Sequence, residues 1–249
     1  MELEKVEIQL KTRTTVCQWK IITVEGWDSY DSFKKMSKDT CDKKRWFFVD
    51  SHQQKTVKIE KEGKMKRKPK HDMVSILHHN VQSINNKSLE LNVLLKSKLV
   101  DVDVSCLSEH WLREGHIKLI SIDKFKLASN FSRSKSDHGG SSICVKHHMQ
   151  TKEINYLKGI SKEKDFEMTA VEILDYKLLI VCEYRSPDGD FSTFLKSLES
   201  VIQKVQARNK RLILCGDWNI NFMQVSVRLH DMQELLSLHN LVNTVKIPS

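Results

Sequence analysis

Hydrophobic and polar positions alternate along most of this chain in a regular way. MVSILHH (73–79), VDVSCL (102–107), FKLAS (125–129), SSICVK (141–146), FEMTAVEIL (166–174), KLLIVCEY (177–184), RLILC (211–215) and LVNTV (241–245) are short apolar runs rich in β-branched residues. Each is bounded by polar or turn-forming residues, which predicts strands. Between the last strands the period changes. Phe191, Phe194, Leu195, Leu198, Val201, Ile202 and Val205 follow the i, i+3, i+4, i+7 rule, with Asp190 placed to cap the helix they predict. A second helix is predicted from a Ser88 cap to about Lys98, with Leu91, Leu94 and Leu95 on one side, and a third near 228–239. Several strands follow one another with no helix between them. That order predicts an α/β sandwich of packed sheets with helices outside, not a Rossmann fold.

A boundary is expected near residue 70. Residues 71–249 form the patterned domain. Residues 1–70 contain two apolar runs, QWKIITV (18–24) and RWFFVD (45–50), which read as strands separated by a polar stretch. The composition suits a globular chain: 39% hydrophobic, 29% charged, with only 8 Gly and 3 Pro in 249 residues, too few for a collagen-like or low-complexity chain. No apolar run reaches the ~18 residues of a membrane helix. MELEKVEIQLKTRTT has no apolar core of the kind a secretory signal needs, so an intracellular protein with no membrane partner is expected.

The net charge of +9 is uneven. Residues 1–70 hold 18 Lys/Arg against 11 Asp/Glu; the rest hold 23 against 21. The densest run is 55–70, ending in Lys64, Lys66, Arg67, Lys68 and Lys70. It is open to two readings, a solvated linker or a functional basic cluster. The functional reading is a nucleic-acid contact or a nuclear-import signal, and with it a nuclear location. The cysteines Cys17, Cys41, Cys106, Cys144, Cys182 and Cys215 include no CxxC and no zinc-ligand spacing. The last four sit in apolar runs and read as buried reduced thiols.

No phosphate loop, GxSxG, HExxH or GxGxxG is present. Polar residues instead stand at predicted strand ends: Asn80, Glu109, Tyr184 with Arg185, and Asp217 with Asn219. If those ends converge, they build an acidic pocket with amide and hydroxyl donors. Such a pocket suits one Mg²⁺ and a phosphodiester. Each residue alone also has a plainer reading. Asp217 in GDWN could be an Asx-turn and Tyr184 a half-buried strand tyrosine. Asp137, Asp165, Asp188 and His138 lie in loops and are expected not to be metal ligands; Asp188 belongs to a Ser-Pro-Asp-Gly turn.

The stretches HHNVQSINNK (78–87), LSEHWL (107–112), HGGSSICVK (138–146), YRSPDGDFSTFLKSLE (184–199), CGDWNINF (215–222) and LLSLHNLVNTVKIPS (235–249) resemble, in that order, the endonuclease/exonuclease/phosphatase superfamily. Within it the likeness is to the apurinic-type endonuclease domain of non-LTR, jockey-like retrotransposons. The resemblance implies a Mg²⁺-dependent nuclease that hydrolyses a DNA phosphodiester and leaves a 3′-hydroxyl. It implies that Glu109 binds the metal and Asn80 supports it. Asp217 would orient or deprotonate the attacking water, and Asn219 would hold the scissile phosphate. Tyr184 would stand beside that phosphate, with Arg185 a phosphate or rim contact. Two departures follow from the same resemblance. Gln82 stands where many relatives carry Asp or Asn. The family also continues past the LVNTV strand to a further Asp and a Ser-Asp-His motif, whereas this sequence stops at Ile247-Pro248-Ser249, and neither His230 nor His239 matches that motif. A weakened or inactive nuclease with an incomplete second sheet is therefore expected, or else a non-catalytic nucleic-acid-binding retroelement remnant.

Overall fold

The computed structural model describes residues 2–12, 15–25, 46–50, 54–60, 73–96, 102–222 and 224–243, with side chains from Val74 onward apart from a few positions. The chain forms β1 (Glu2–Thr12), β2 (Thr15–Glu25), β3 (Trp46–Asp50), β4 (Gln54–Glu60), β5 (Met73–Asn80), α1 (Ile84–Lys96), β6 (Val104–Ser108), β7 (Phe125–Phe131), β8 (Ser141–Lys146) and β9 (Thr151–Glu153). It continues through the single turn α2 (Asn155–Lys158), β10 (Glu167–Ile173), β11 (Leu178–Tyr184), α3 (Phe191–Gln206), β12 (Arg211–Asp217), α4 (Val227–Leu238) and β13 (Leu241–Asn243).

The strands make two mixed sheets, ordered β1-β2-β4-β5-β6-β8-β7 and β13-β3-β12-β11-β10-β9. The expected α/β sandwich is what is observed. Each sheet has a parallel pair near its middle: β5 beside β6 in the first sheet, and β11 beside β12 in the second. The N-terminal segment enters both sheets. β4 runs antiparallel to β5, and β3 lies parallel between β12 and β13.

The described central strands β6, β8, β10, β11 and β12 bury both faces, which is why they read as near-continuous apolar runs rather than strict alternations. Between the sheets lie Val74, Ile76, Val104, Ile143, Val145, Val171, Ile180 and Ile213, all nearly solvent-free. Outside the second sheet, α3 and α4 cover Leu179, Val181, Leu212 and Leu214. Outside the first, α1 covers Leu77 and Leu107 with Ile84 and Leu91.

Helix α3 shows why the periodic reading works. Phe194, Leu198, Val201, Ile202 and Val205 are each wholly buried. At roughly 1.5–3 kcal/mol per large apolar side chain, this stripe far outweighs helix propensity. Asp190 accepts the Thr193 N–H at 2.7 Å, as its cap position requires. Helix α4 is capped in the same way, with Ser226 Oγ accepting from Leu229 N–H at 3.2 Å.

Helix α1 corrects the sequence reading. It begins at Ile84, not after Ser88. The start is set by the chain leaving β5. Gln82 and Ser83 turn through left-handed backbone, and the N–H groups of Ser83 and Ile84 donate to the carbonyls of Glu109 and His110. A serine cap four residues later had no such tertiary support.

Candidate active site

The C-terminal ends of β5, β6, β11 and β12 reach the same edge of the sandwich. In register, Asn80 faces Ser108 and Tyr184 faces Asp217. A cleft of about 850 Å³ opens there, lined by Asn80, Gln82, Glu109, Tyr184, Asp217 and Asn219 among others. Five of the sequence-predicted residues, Asn80, Glu109, Tyr184, Asp217 and Asn219, are thus brought together.

Asn80 is the hub. Its Nδ2 donates to Glu109 Oε1 at 2.8 Å and to Asp217 Oδ2 at 2.6 Å. One amide from the first sheet therefore holds a carboxylate of its own sheet and a carboxylate of the other. The second Glu109 oxygen accepts from Trp111 Nε1 at 3.2 Å. Asp217 is buried, and its Oδ1 accepts the Asn219 N–H at 3.0 Å. The Asx-turn reading of GDWN and the site reading are both realised, because one carboxylate oxygen serves each.

Tyr184 is also buried. Burial, then the nearby Glu109 and Asp217 charges, push its phenol far above the ordinary tyrosine value. It remains an O–H at neutral pH and can act only as a donor or a polar contact, not as a phenolate. Asn219 adopts left-handed backbone, and its Nδ2 donates to Arg185 O at 2.6 Å. One amide hydrogen is then left for a ligand in the cleft.

Arg185 is the correction. It does not line the cleft. The guanidinium is buried and donates to the carbonyls of Trp218, Ser186, Gly189 and Asn219 at 2.8–3.1 Å. Guanidinium N–H groups spent on carbonyls are not available to phosphate. Arg185 instead locks together the two loops that present Ser186 and Asn219. The predicted basic contacts Lys64, Lys66, Arg67, Lys68 and Lys70 lie outside the described residues.

Several lining residues were not singled out from the sequence: Trp111, Arg133, Ser136, Lys164 and Ser186. Arg133 is the most informative. Its Nε donates to Glu167 Oε1 at 2.5 Å, with both side chains nearly solvent-free, and its guanidinium lies 5.9 Å from the centre of the Tyr184 ring. Glu167 also accepts from the N–H groups of Gly140 at 2.5 Å and Lys164 at 2.8 Å. Asp137 and Asp188 line the cleft but pair with Arg113 and Lys164, while Asp165 accepts the Asp190 N–H. His138 packs its ring on Trp111 at 4.3 Å.

The HGG motif has a physical role. Gly139 and Gly140 take positive φ, and their carbonyls accept from Trp111 and Glu109 N–H at 3.0 and 2.8 Å. A Cβ on Gly140 would lie 2.5 Å from the His110 ring. The close approach lets this loop fix Glu109, which itself has φ +56. Left-handed backbone at Gln82, Ser83, Glu109, Trp111, His138 and Asn219 gathers around one cleft. Backbone strain collected in this way is an argument for function at the cleft.

His110 is wholly buried behind Glu109. Its Nδ1 accepts from Leu112 N–H at 3.0 Å, so Nε2 carries the proton and donates to Phe131 O at 2.9 Å. Burial lowers its pKa to about 4 against two backbone contacts that raise it. In the unfolded chain an imidazole takes its proton near 6.5. His110 therefore contributes stability that is present above about pH 6.5 and is lost as pH falls towards 4. The loss is expected to be about 3 kcal/mol. Urea unfolding at pH 7 and pH 4.5 should show it, and His110→Gln should flatten that slope. An unchanged slope would place the acid sensitivity elsewhere, with the buried His78, whose pKa is also lowered by burial, next in line.

The donors fit a hard divalent cation. Two carboxylates of a polar cleft accept from one amide nitrogen, and the Asn80 amide between them can present an oxygen or an N–H. No curated protein matches the chain. Solved structures that resemble it include the endonuclease domain of TRAS1, a telomere-specific non-LTR retrotransposon (15% identity, 66% of this chain and 69% of that one, TM-score 0.49). An AP endonuclease from Archaeoglobus fulgidus (16%, 67% and 71%, 0.49) and the 3′-5′ exonuclease NExo from Neisseria meningitidis (18%, 66% and 70%, 0.49) are others. The family model for the Endonuclease/Exonuclease/phosphatase family matches residues 77–243, and the chain belongs to that family.

Proposed function

We propose that this chain is a Mg²⁺-dependent DNA endonuclease domain of a non-LTR, jockey-like retrotransposon, with weak turnover. The observation that carries the reading is the Asn80 amide holding Glu109 and Asp217 together in a cleft with Tyr184 and Asn219. Glu109, Asn80 and Asp217 are the residues that would hold Mg²⁺, which when bound neutralises charge on the phosphate. Asp217 orients the attacking water and accepts its proton. Asn219 donates its remaining amide hydrogen to a phosphate oxygen. Tyr184 donates its phenolic hydrogen to the same group, and a preorganised donor of this kind stabilises the charge that develops there. Gln82 lines the cleft where a carboxylate would add a further oxygen donor, which argues for low metal affinity.

The test is nicking of a supercoiled plasmid against Mg²⁺ concentration. Glu109→Gln keeps the shape of the side chain and removes its charge. It is expected to shift the Mg²⁺ requirement upward by about tenfold or more, since ~1.4 kcal/mol of lost binding has that effect. Nicking with an unchanged Mg²⁺ dependence would remove Glu109 from the metal site.

The second reading, a DNA binder without turnover, rests on the basic run at 64–70. If those side chains neutralise phosphates, replacing Lys64, Lys66, Arg67, Lys68 and Lys70 by Gln should flatten the dependence of log affinity on log salt by ~0.9 per lost contact. An unchanged slope would leave the run as a linker or an import signal.

A further inference from the structure

Behind the cleft, between the sheets, stand three cysteines that the proposed reaction does not use. Cys106 belongs to β6 of the first sheet. Cys182 and Cys215 are direct register partners on β11 and β12 of the second. All three are free thiols with 0–1% exposure, and their Sγ atoms lie within 4.8 Å of one another. We infer that Cys106, Cys182 and Cys215 form a buried thiolate site for a soft cation, Zn²⁺ in the first instance.

The geometry is that of a ligand set. With Zn–S bonds of about 2.3 Å, sulfurs at tetrahedral angles stand about 3.8 Å apart, a spacing that three Sγ atoms within 4.8 Å reach with small adjustments. Apart from hydrogen bonds among themselves, the three thiols have few partners. Cys182 points at Leu107 O at 3.6 Å and Cys215 at Val181 O at 3.4 Å, both weak contacts. A second observation points to the same place. His78 is the register partner of Cys106 on β5 and is 1% exposed. Its Nε2 meets Ser108 Oγ at 3.2 Å, but its Nδ1 has no partner. A buried imidazole nitrogen left unpaired is unfavourable. His78 and Cys215 also interact electrostatically. His78 stands beside this set but outside the 4.8 Å group of the three Sγ atoms; a turn of its ring toward Cys215 would make it the fourth donor of a Cys₃His set of the type structural zinc uses.

Soft sulfur selects Zn²⁺ or Cu⁺ over Mg²⁺, so this site and the carboxylate cleft take different ions. The placement gives the site a consequence. Cys106 lies three residues before Glu109, Cys215 two before Asp217, and His78 two before Asn80. With His78 turned in, a cation here ties the four strands that carry the cleft, β5, β6, β11 and β12, at a point just short of it.

Because the site is closed to solvent, the full chain should be refolded under reducing conditions in the presence of Co²⁺, a spectroscopic substitute for Zn²⁺. One equivalent per chain is expected to give a thiolate-to-cobalt charge-transfer band, displaced by Zn²⁺ and untouched by excess Mg²⁺. The band should persist in Cys144→Ala, whose thiol belongs to a different cluster, and in Asp217→Ala. It should vanish in Cys182→Ala and Cys215→Ala, and His78→Gln should weaken Co²⁺ binding at least tenfold. Far-ultraviolet circular dichroism confirms that each variant folds. No band in the wild-type chain would overturn the inference whatever the variants do. A band of full intensity in Cys182→Ala would overturn it as well, since the thiolates would then be others.

Discussion

Asp217→Ala is expected to reduce Mg²⁺-dependent nicking by about 10²–10⁴-fold, the range typical of a lost general base. Asp217 gives up three things at once when truncated. Its Oδ2 no longer accepts from Asn80, its Oδ1 no longer fixes the Asn219 N–H, and the carboxylate proposed to receive the water proton is gone. Asp217→Asn separates these. The amide can keep one of the two hydrogen bonds but cannot take the proton, so it should be nearly as inactive while disturbing Asn219 less. DNA affinity is expected to fall little in either variant. If Asp217→Ala nicks within about threefold of wild type, Asp217 is not the base and the mechanism fails at its central residue.

The largest effect on stability is expected from Glu167→Ala. The glutamate is wholly buried and accepts from Arg133, Gly140 and Lys164. Burial pushes its pKa up against those donors, so the pair is held by its contacts and not by favourable solvation. Truncation leaves the Arg133 guanidinium charged, 5% exposed and without its partner. Removing one member of a buried pair costs about 3–5 kcal/mol, which for a chain of this size lowers Tm by roughly 6–20 °C. The double replacement Arg133→Met with Glu167→Leu should recover much of that loss, because no charge is then stranded. It should not recover activity, since Arg133 also lines the cleft against Tyr184. A melting point for Glu167→Ala within about 2 °C of wild type would show that water reaches the pair.

The parts of this fold that could be read from the sequence are those where local pattern and tertiary demand agree. The stripe of α3 is one, since its burial leaves no other phase for the helix. The strand ends holding Asn80, Glu109, Tyr184 and Asp217 are another, because a polar residue closing an apolar run marks where the strand leaves the core. What could not be read depends on contacts between distant segments. The start of α1 is fixed by the carbonyls of Glu109 and His110, about 26 residues away in the sequence. Arg185 at a strand end looks the same in sequence whether its guanidinium turns to phosphate or to four carbonyls. Arg133 carries no motif, and its role exists only because Glu167 lies under it. The three cysteines share no spacing rule, since strand register and sheet stacking bring them together.

The bond from Asn80 to Asp217 has a mechanical meaning. Asn80 belongs to one sheet and Asp217 to the other, and Glu109 is held by the same nitrogen. Sliding one sheet over the other by an ångström would separate the two carboxylates while leaving every strand intact. The cleft thus works as a vernier for the alignment of the sandwich. Core substitutions far from it, among Val104, Ile180 or Ile213, are then expected to change the spacing of the two carboxylates without touching either, through sheet offset alone.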